Sequence, residues 1–169
     1  MKQVMISQGT ATISNVPSPT VEPGTVLVQV DHSCISAGTE LSGVKSSGEP
    51  IWKKALQQPH RIKKVADLAR SQGIRATQRM VERKTNRMTP TGYSIAGTVV
   101  KIGPGIEDLY VGQRVACAGN QYAFHAQVVR VPRNLTVAVP DRVELAAAST
   151  VTLGAIALQG VRRAAPTLG

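Results

Sequence analysis

The sequence predicts a mainly β fold with added helices (α+β), on three observations. Apolar residues alternate with period two in TVLVQVDHSCIS (25–36) and again in FHAQVVRVP (124–132). Turn-forming clusters punctuate the chain: Pro17, Ser18 and Pro19; Glu22, Pro23 and Gly24; Gly103, Pro104 and Gly105. The apolar fraction is 42% but aromatics are only 3%, so the core must come from aliphatic strands. Several short strands with such turns favour a small barrel or sandwich.

Taken in order, MKQVMIS (1–7) reads as a first strand. In the second, Val26, Val28 and Val30 share one face while Leu27 and Gln29 share the other. Residues 50–88 change character. Ile62, Val65, Ala66 and Ala69 recur at i, i+3, i+4 and i+7, one apolar face of a helix. Gly73 interrupts, and Ile74, Thr77, Val81 and Met88 suggest a second amphipathic helix, so this stretch reads as a helical hairpin.

Thr91, Gly92 and Tyr93 then open the strand SIAGTVVKIG (94–103). Gly103 and Gly105 flank Pro104 where the chain reverses, and glycine tolerates the positive φ such a turn needs. Gly97, inside the strand, suits a close approach of two backbones. Val111 to Ala116 forms a short turn and strand. The Ala-rich run ELAAASTVTLGAIALQGVRRA (144–164) reads as helix, with Asp141 placed to cap it three residues before Glu144. Thr150, Val151, Thr152 and Gly154 weaken its middle, so two helices or a break are expected.

Composition narrows the class. A length of 169 residues suits one domain with an elaboration. No apolar run approaches the roughly 20 residues of a membrane-spanning helix, and the N-terminus lacks the apolar centre of a secretory signal. Two cysteines make no disulfide framework, so a reducing, cytoplasmic location is expected. The net charge of +10 is uneven. Residues 45–90 hold twelve Lys/Arg against three acids, a net +9, leaving the remainder nearly neutral. The helical hairpin therefore carries a basic outer surface.

The string TGYSIAGTVVKIGPGIEDLYVGQRVACAG (91–119) is similar to a signature stretch of medium-chain dehydrogenases/reductases. Ala96, Gly97, Val99, Gly103, Gly105, Gly112, Arg114 and Val115 stand at the pattern positions. VLVQVDHSCISAGTE (26–40) resembles that family's first substrate-side loop, and the segment from Phe124 to Gly160 resembles its later strand, turn and linker helices. The pieces occur in the family's order and spacing. The combination of ISAGTE (35–40) and LGAIALQGVRRAAPTLG (153–169) further resembles zinc-free, two-domain oxidoreductases related to threonine dehydrogenase.

The resemblance implies a GroES-like, partly open β-barrel over residues 1–45 and 90–143. It leaves 46–89 as a basic helical insertion and 144–169 as linker helices leading to a nucleotide-binding domain. No G-x-G-x-x-G, the turn that seats a dinucleotide pyrophosphate, occurs in the sequence. The implied activity is NAD- or NADP-dependent hydride transfer to or from an alcohol, carbonyl or activated alkene. The chain by itself is expected to bind the cofactor weakly and to turn nothing over.

Zinc members of the family hold the metal with three protein ligands. The matching positions here are Ala37, Tyr93 and Ser149. Alanine offers no ligand atom, and Tyr and Ser are poor ones beside Cys, His and carboxylate, so no zinc is expected. Among Cys34, Cys117, His32, His60 and His125, the remaining candidates, His32 and Cys34 stand i, i+2 on one strand and could share a face, but such a pair is more often core or surface than ligand. By resemblance, Thr39 stands at the proton-relay hydroxyl, with Glu40 beside it as an orienting group or base. Tyr93, replacing the metal-binding His, would donate a hydrogen bond to a carbonyl. Thr152 and Leu153 fall where the linker helix approaches the nicotinamide. A small-molecule substrate and a C-terminal nucleotide-binding domain are the implied partners, and a homo-oligomer is compatible with both.

Two other readings stand beside this one. A basic nucleic-acid or anionic-ligand module would explain the +9 segment, although Trp52 alone supplies a stacking aromatic within it. A purely structural barrel would leave Thr39, Glu40 and Tyr93 replaceable without effect.

Overall fold

The computed structural model describes residues 1–49, 70, 71, 73 and 88–166. The expected helical hairpin of 50–88 lies almost wholly outside these residues, as do His60 and Trp52. The chain divides into two compact units: Met1–Val4, Ile13–Ser36 and Pro90–Gly169 make the first, and Met5–Thr12 with Ala37–Thr89 make the second.

The first unit is built on a five-stranded antiparallel sheet, curled into an open half-barrel. Its strands are β3 (Thr25–Ser33), β5 (Ser94–Ile102), β6 (Arg114–Ala118), β7 (Val128–Pro132) and β8 (Thr136–Ala138). They run in the order β7-β3-β5-β6-β8. A three-stranded sheet joins β1 (Lys2–Ser7), β2 (Thr10–Asn15) and β4 (Thr89–Pro90) in the order β2-β1-β4.

The valine alternation of β3 sets the core. Val28 pairs with Val99 of β5 on one side and Val129 of β7 on the other, and all three are buried. Val26, Ile95, Val115, Cys117, Ala123 and Val131 complete this aliphatic layer, which contains no buried aromatic. Each valine or isoleucine side chain so withdrawn from water contributes about 1.5–3 kcal/mol. The sheet's other face carries small residues. Ala96 and Ala116 are register partners there, and with Val139 they leave room for Val143, Leu145, Ala148 and Val151 to pack.

The glycines expected to matter do so for distinct reasons. A Cβ on Gly97 would lie 2.0 Å from the carbonyl oxygen of Gln29 on β3, so the backbones meet where only glycine fits. Gly105 adopts φ +85°, as the turn requires. Gly103 does not take a positive φ; it is needed because a Cβ there would fall 2.0 Å from the Glu22 carbonyl oxygen.

Of three local expectations, two are corrected, and the one of two helices with a break in the Ala-rich run is met. Residues 124–127 are not strand: Ala126 N–H turns back to the Phe124 carbonyl at 3.0 Å, and only the Gln3–Ala126 bridge extends the pairing there. The Ala-rich run is two helices, α2 (Leu145–Ala148) and α3 (Val151–Ala164), broken at Ser149 and Thr150. Asp141 does not cap them. Glu144 occupies the N-cap of α2 without a side-chain bond, while the Asp141 carbonyl accepts from Arg114 Nη1 at 3.1 Å.

In the second unit, Ala37–Gly48 form helix α1, of which only 37–40 fell in the segment expected as a loop. It buries no residue. Ser47 Oγ accepts from Gly9 N–H at 2.8 Å and donates to the Val44 carbonyl at 2.7 Å, tying the last turn to the β1–β2 turn.

Candidate functional site

The site grows from the point where β5 begins. Tyr93, half-buried, precedes the strand, and Ser94 is its first, fully buried residue. The Tyr93 carbonyl accepts two hydrogen bonds: from Gly119 N–H at 2.9 Å and from Thr152 Oγ1 at 3.1 Å. The Ser94 carbonyl accepts from Cys34 N–H at 3.0 Å. Three segments distant in sequence thus converge on the two successive peptide units that flank Ser94.

The hydroxyl of Ser94 binds in both directions. Oγ donates to the Ser149 carbonyl at 2.6 Å and accepts from Thr152 N–H at 3.2 Å. Thr152 is the second residue of α3, whose first amides have no partner within the helix. The N-cap residue, Thr150, makes no capping bond; its Oγ1 donates instead to the Ala147 carbonyl at 2.8 Å. Ser94 therefore supplies from the sheet the oxygen that a capping side chain normally supplies from the helix itself. A buried hydrogen bond of this kind adds about 1 kcal/mol, and leaving its partner unmatched costs about 1–3 kcal/mol.

Of the residues singled out in the sequence, the structure brings Tyr93 and Thr152 into direct contact. Both donor groups of Thr152 are directed at residues 93 and 94. Leu153 is next along α3 and 38% exposed. Thr39 and Glu40 lie in the first turn of α1, in the second unit, with Thr39 exposed and Glu40 half-buried. Sequence reasoning did not single out Ser94. Both faces of β5 are buried at its start, so alternation gave no sign that an inward serine was doing polar work.

Beside this junction lies an apolar cavity of about 190 Å³, bordered by Ala116, Ala118, Leu135, Thr136, Val137 and Val151. Binding clefts for small molecules run to about 300–1,000 Å³, so this cavity on its own is smaller than such a cleft. Cys117, on the core side of β6, has its thiol pushed up to about 12 by burial and is held as a neutral donor to Thr136 Oγ1 at 3.7 Å.

The positions that would bear zinc by resemblance do not suit the ion. Ala37 has no donor atom, and Ser149 Oγ, in a buried residue, donates to the Ala146 carbonyl at 2.7 Å. Among the described residues, no group of three or more His, Cys, Asp or Glu could hold a metal. None of the described helices is long and apolar enough to cross a membrane.

No protein-family model matches the chain. No curated protein matches it either. Solved structures do. A quinone oxidoreductase from Coxiella burnetii superposes with a TM-score of 0.71 over 100% of this chain and 46% of its own, at 16% identity. Mycobacterial Rv1454c, complexed with NADPH, gives 0.65 over 99% of this chain and 42% of its own, at 18% identity. Galactitol-1-phosphate dehydrogenase from Escherichia coli gives 0.64 over 97% and 45%, at 15% identity. The chain thus spans less than half the length of these structures. At such identities the likeness is one of fold, and the fold is that of a GroES-like domain, as in medium-chain dehydrogenases/reductases.

Proposed function

We propose that this chain is the substrate-side domain of a zinc-independent, NAD(P)-dependent oxidoreductase of the medium-chain dehydrogenase/reductase type. The observation that carries the reading is the fold likeness, along essentially the whole chain, to 42–46% of the length of oxidoreductase structures. It is supported by the bonded junction of Tyr93 and Thr152, which links the half-barrel to the helix that would lead into a nucleotide-binding domain. The domain boundaries are proposed as 1–45 and 90–143 for the barrel, 46–89 for the basic insertion and 144–169 for the linker. The nicotinamide, when bound, supplies the hydride.

The residues of this chain then have two tasks, holding the acceptor and delivering a proton. Tyr93 donates its phenolic hydrogen to the oxygen of a carbonyl or quinone, where negative charge grows as the hydride arrives. Thr39 and Glu40 are assigned to relaying the proton. Leu153 offers an apolar contact for the nicotinamide side of the cleft, and Thr152 anchors the helix that carries it. Alanine, tyrosine and serine at the ligand positions support zinc independence. A location in the cytoplasm fits the two free cysteines.

The test is NADPH and NADH oxidation by the full-length gene product with a quinone or an enal as acceptor. Turnover should appear with one of the two cofactors, and Tyr93→Phe should lower kcat by about 10- to 100-fold. No oxidation with any acceptor, or unchanged turnover in Tyr93→Phe, would contradict the reading.

A further inference from the structure

The geometry points to Ser94 as a positioning residue that sets the spacing between Tyr93 and the start of α3, an inference that rests on the oxidoreductase reading above. Its neighbours Ile95 and Ala96 are completely buried, and so is Ser94. A polar side chain in such a place is tolerated only with its hydrogen-bonding capacity met. Here the donor goes to the Ser149 carbonyl and a lone pair receives Thr152 N–H. One side chain thus holds both Ser149, two residues before α3, and the second residue within the helix.

The two peptide units on either side of Ser94 are fixed as well, the Tyr93 carbonyl by Gly119 N–H and the Ser94 carbonyl by Cys34 N–H. Tyr93 therefore leaves the sheet along a direction set by β3, β6 and α3 together. The helix has less to hold it. None of its residues is buried, and Val151 alone packs against the small-residue face of the sheet. With Ser94 removed, the Ser149 carbonyl and Thr152 N–H lose their partners, and Thr152 Oγ1 remains as the one hydrogen bond from Thr152 to Tyr93. The start of α3 is then free to shift relative to Tyr93. Hydride transfer depends steeply on that spacing, because a misplacement of about 1 Å costs about 100-fold in rate.

The experiment uses the full-length gene product with Ser94→Ala, Ser94→Thr and Thr152→Val, assayed with the deuterated and ordinary forms of whichever of NADPH and NADH supports turnover. Ser94→Ala should lower kcat about tenfold, raise the deuterium isotope effect on kcat, and leave KM for the acceptor within about twofold. Ser94→Thr, which keeps the hydroxyl, should restore most of the rate. If Ser94→Ala does not fold, Ser94→Cys, whose thiol fills the site but bonds only weakly, carries the same test, and Thr152→Val reads separately the bond to the Tyr93 carbonyl. A lowered Tm with kcat, KM and isotope effect unchanged overturns the inference and leaves Ser94 a structural residue. If the unaltered protein transfers no hydride, the functional reading fails, and amide exchange at Thr152 decides about Ser94. Lost protection in Ser94→Ala then supports the link with its reaction reassigned, and unchanged protection overturns it.

Discussion

Strand β5 and helix α3 meet at the candidate site and are held in opposite ways. The strand is buried almost completely over Ser94–Gly97, and its place is fixed by packing on both faces. The helix buries nothing, and Ile156, Leu158 and Val161 are 64%, 49% and 55% exposed. It is attached by its first turn, through Val151 and the hydrogen bonds to residues 93 and 94. The contrast teaches where stability and adjustability lie. The sheet supplies a rigid frame, and the geometry of the proposed site hangs on a few polar bonds where the helix begins.

The sharpest way to break this comparison is Gly97→Ala. The added Cβ would meet the Gln29 carbonyl oxygen, which belongs to a paired strand and cannot swing away. A loss of about 3 kcal/mol or more in denaturant-induced unfolding is expected, at the upper end of overpacking effects. A loss below about 1 kcal/mol would show that the sheet is less rigid than described. Ser94→Ala comes next. It strands a carbonyl and an amide in a buried place, and about 1–3 kcal/mol should be lost.

Cys117 tests the frame from within, since it pairs with Ile95 across β5 and β6. Burial raises its thiol to about 12 from an ordinary value of 9.0. A raised folded value means that the neutral thiol's contribution is whole below about pH 9 and is lost as pH rises toward 12. Half-buried Cys34 should react with a thiol reagent at about pH 8 while Cys117 reacts only after denaturation. Two thiols reacting at the same rate would contradict a closed core. The smallest effect belongs to the helix. In this 169-residue chain, Ile156→Ser should change stability by no more than about 0.5 kcal/mol, as at other exposed positions. A larger loss would mean that the outer face of α3 is packed after all.

Much of the frame was legible in the sequence because period-two patterning and turn chemistry are local signals. The valines of β3, the turn at Gly105 and the close approach at Gly97 could each be read without tertiary knowledge. Helix α1 could not. It contains Gly38, Gly43 and Gly48 with Ser42, Ser46 and Ser47, residues of low helix propensity, and it has no buried face to leave a periodic trace. The strand ending at Pro132 starts four residues later than its alternation suggested, because Phe124 to Gln127 bond to β1 and to themselves. At the site, motif order singled out Tyr93 and Thr152. Ser94 was not distinguishable from an ordinary strand residue, because its partners lie 55 and 58 positions away.

The proposed function puts this chain on the substrate side of a site whose cofactor is held mainly by a nucleotide-binding domain. Calorimetric titration of NADPH and NADH into the full-length gene product and into the 169-residue chain tests it most directly. The account predicts binding at about micromolar Kd by the full-length product, about −8 kcal/mol, and no measurable heat from the 169-residue chain. Micromolar binding by the 169-residue chain, or none by the full-length product, would contradict it.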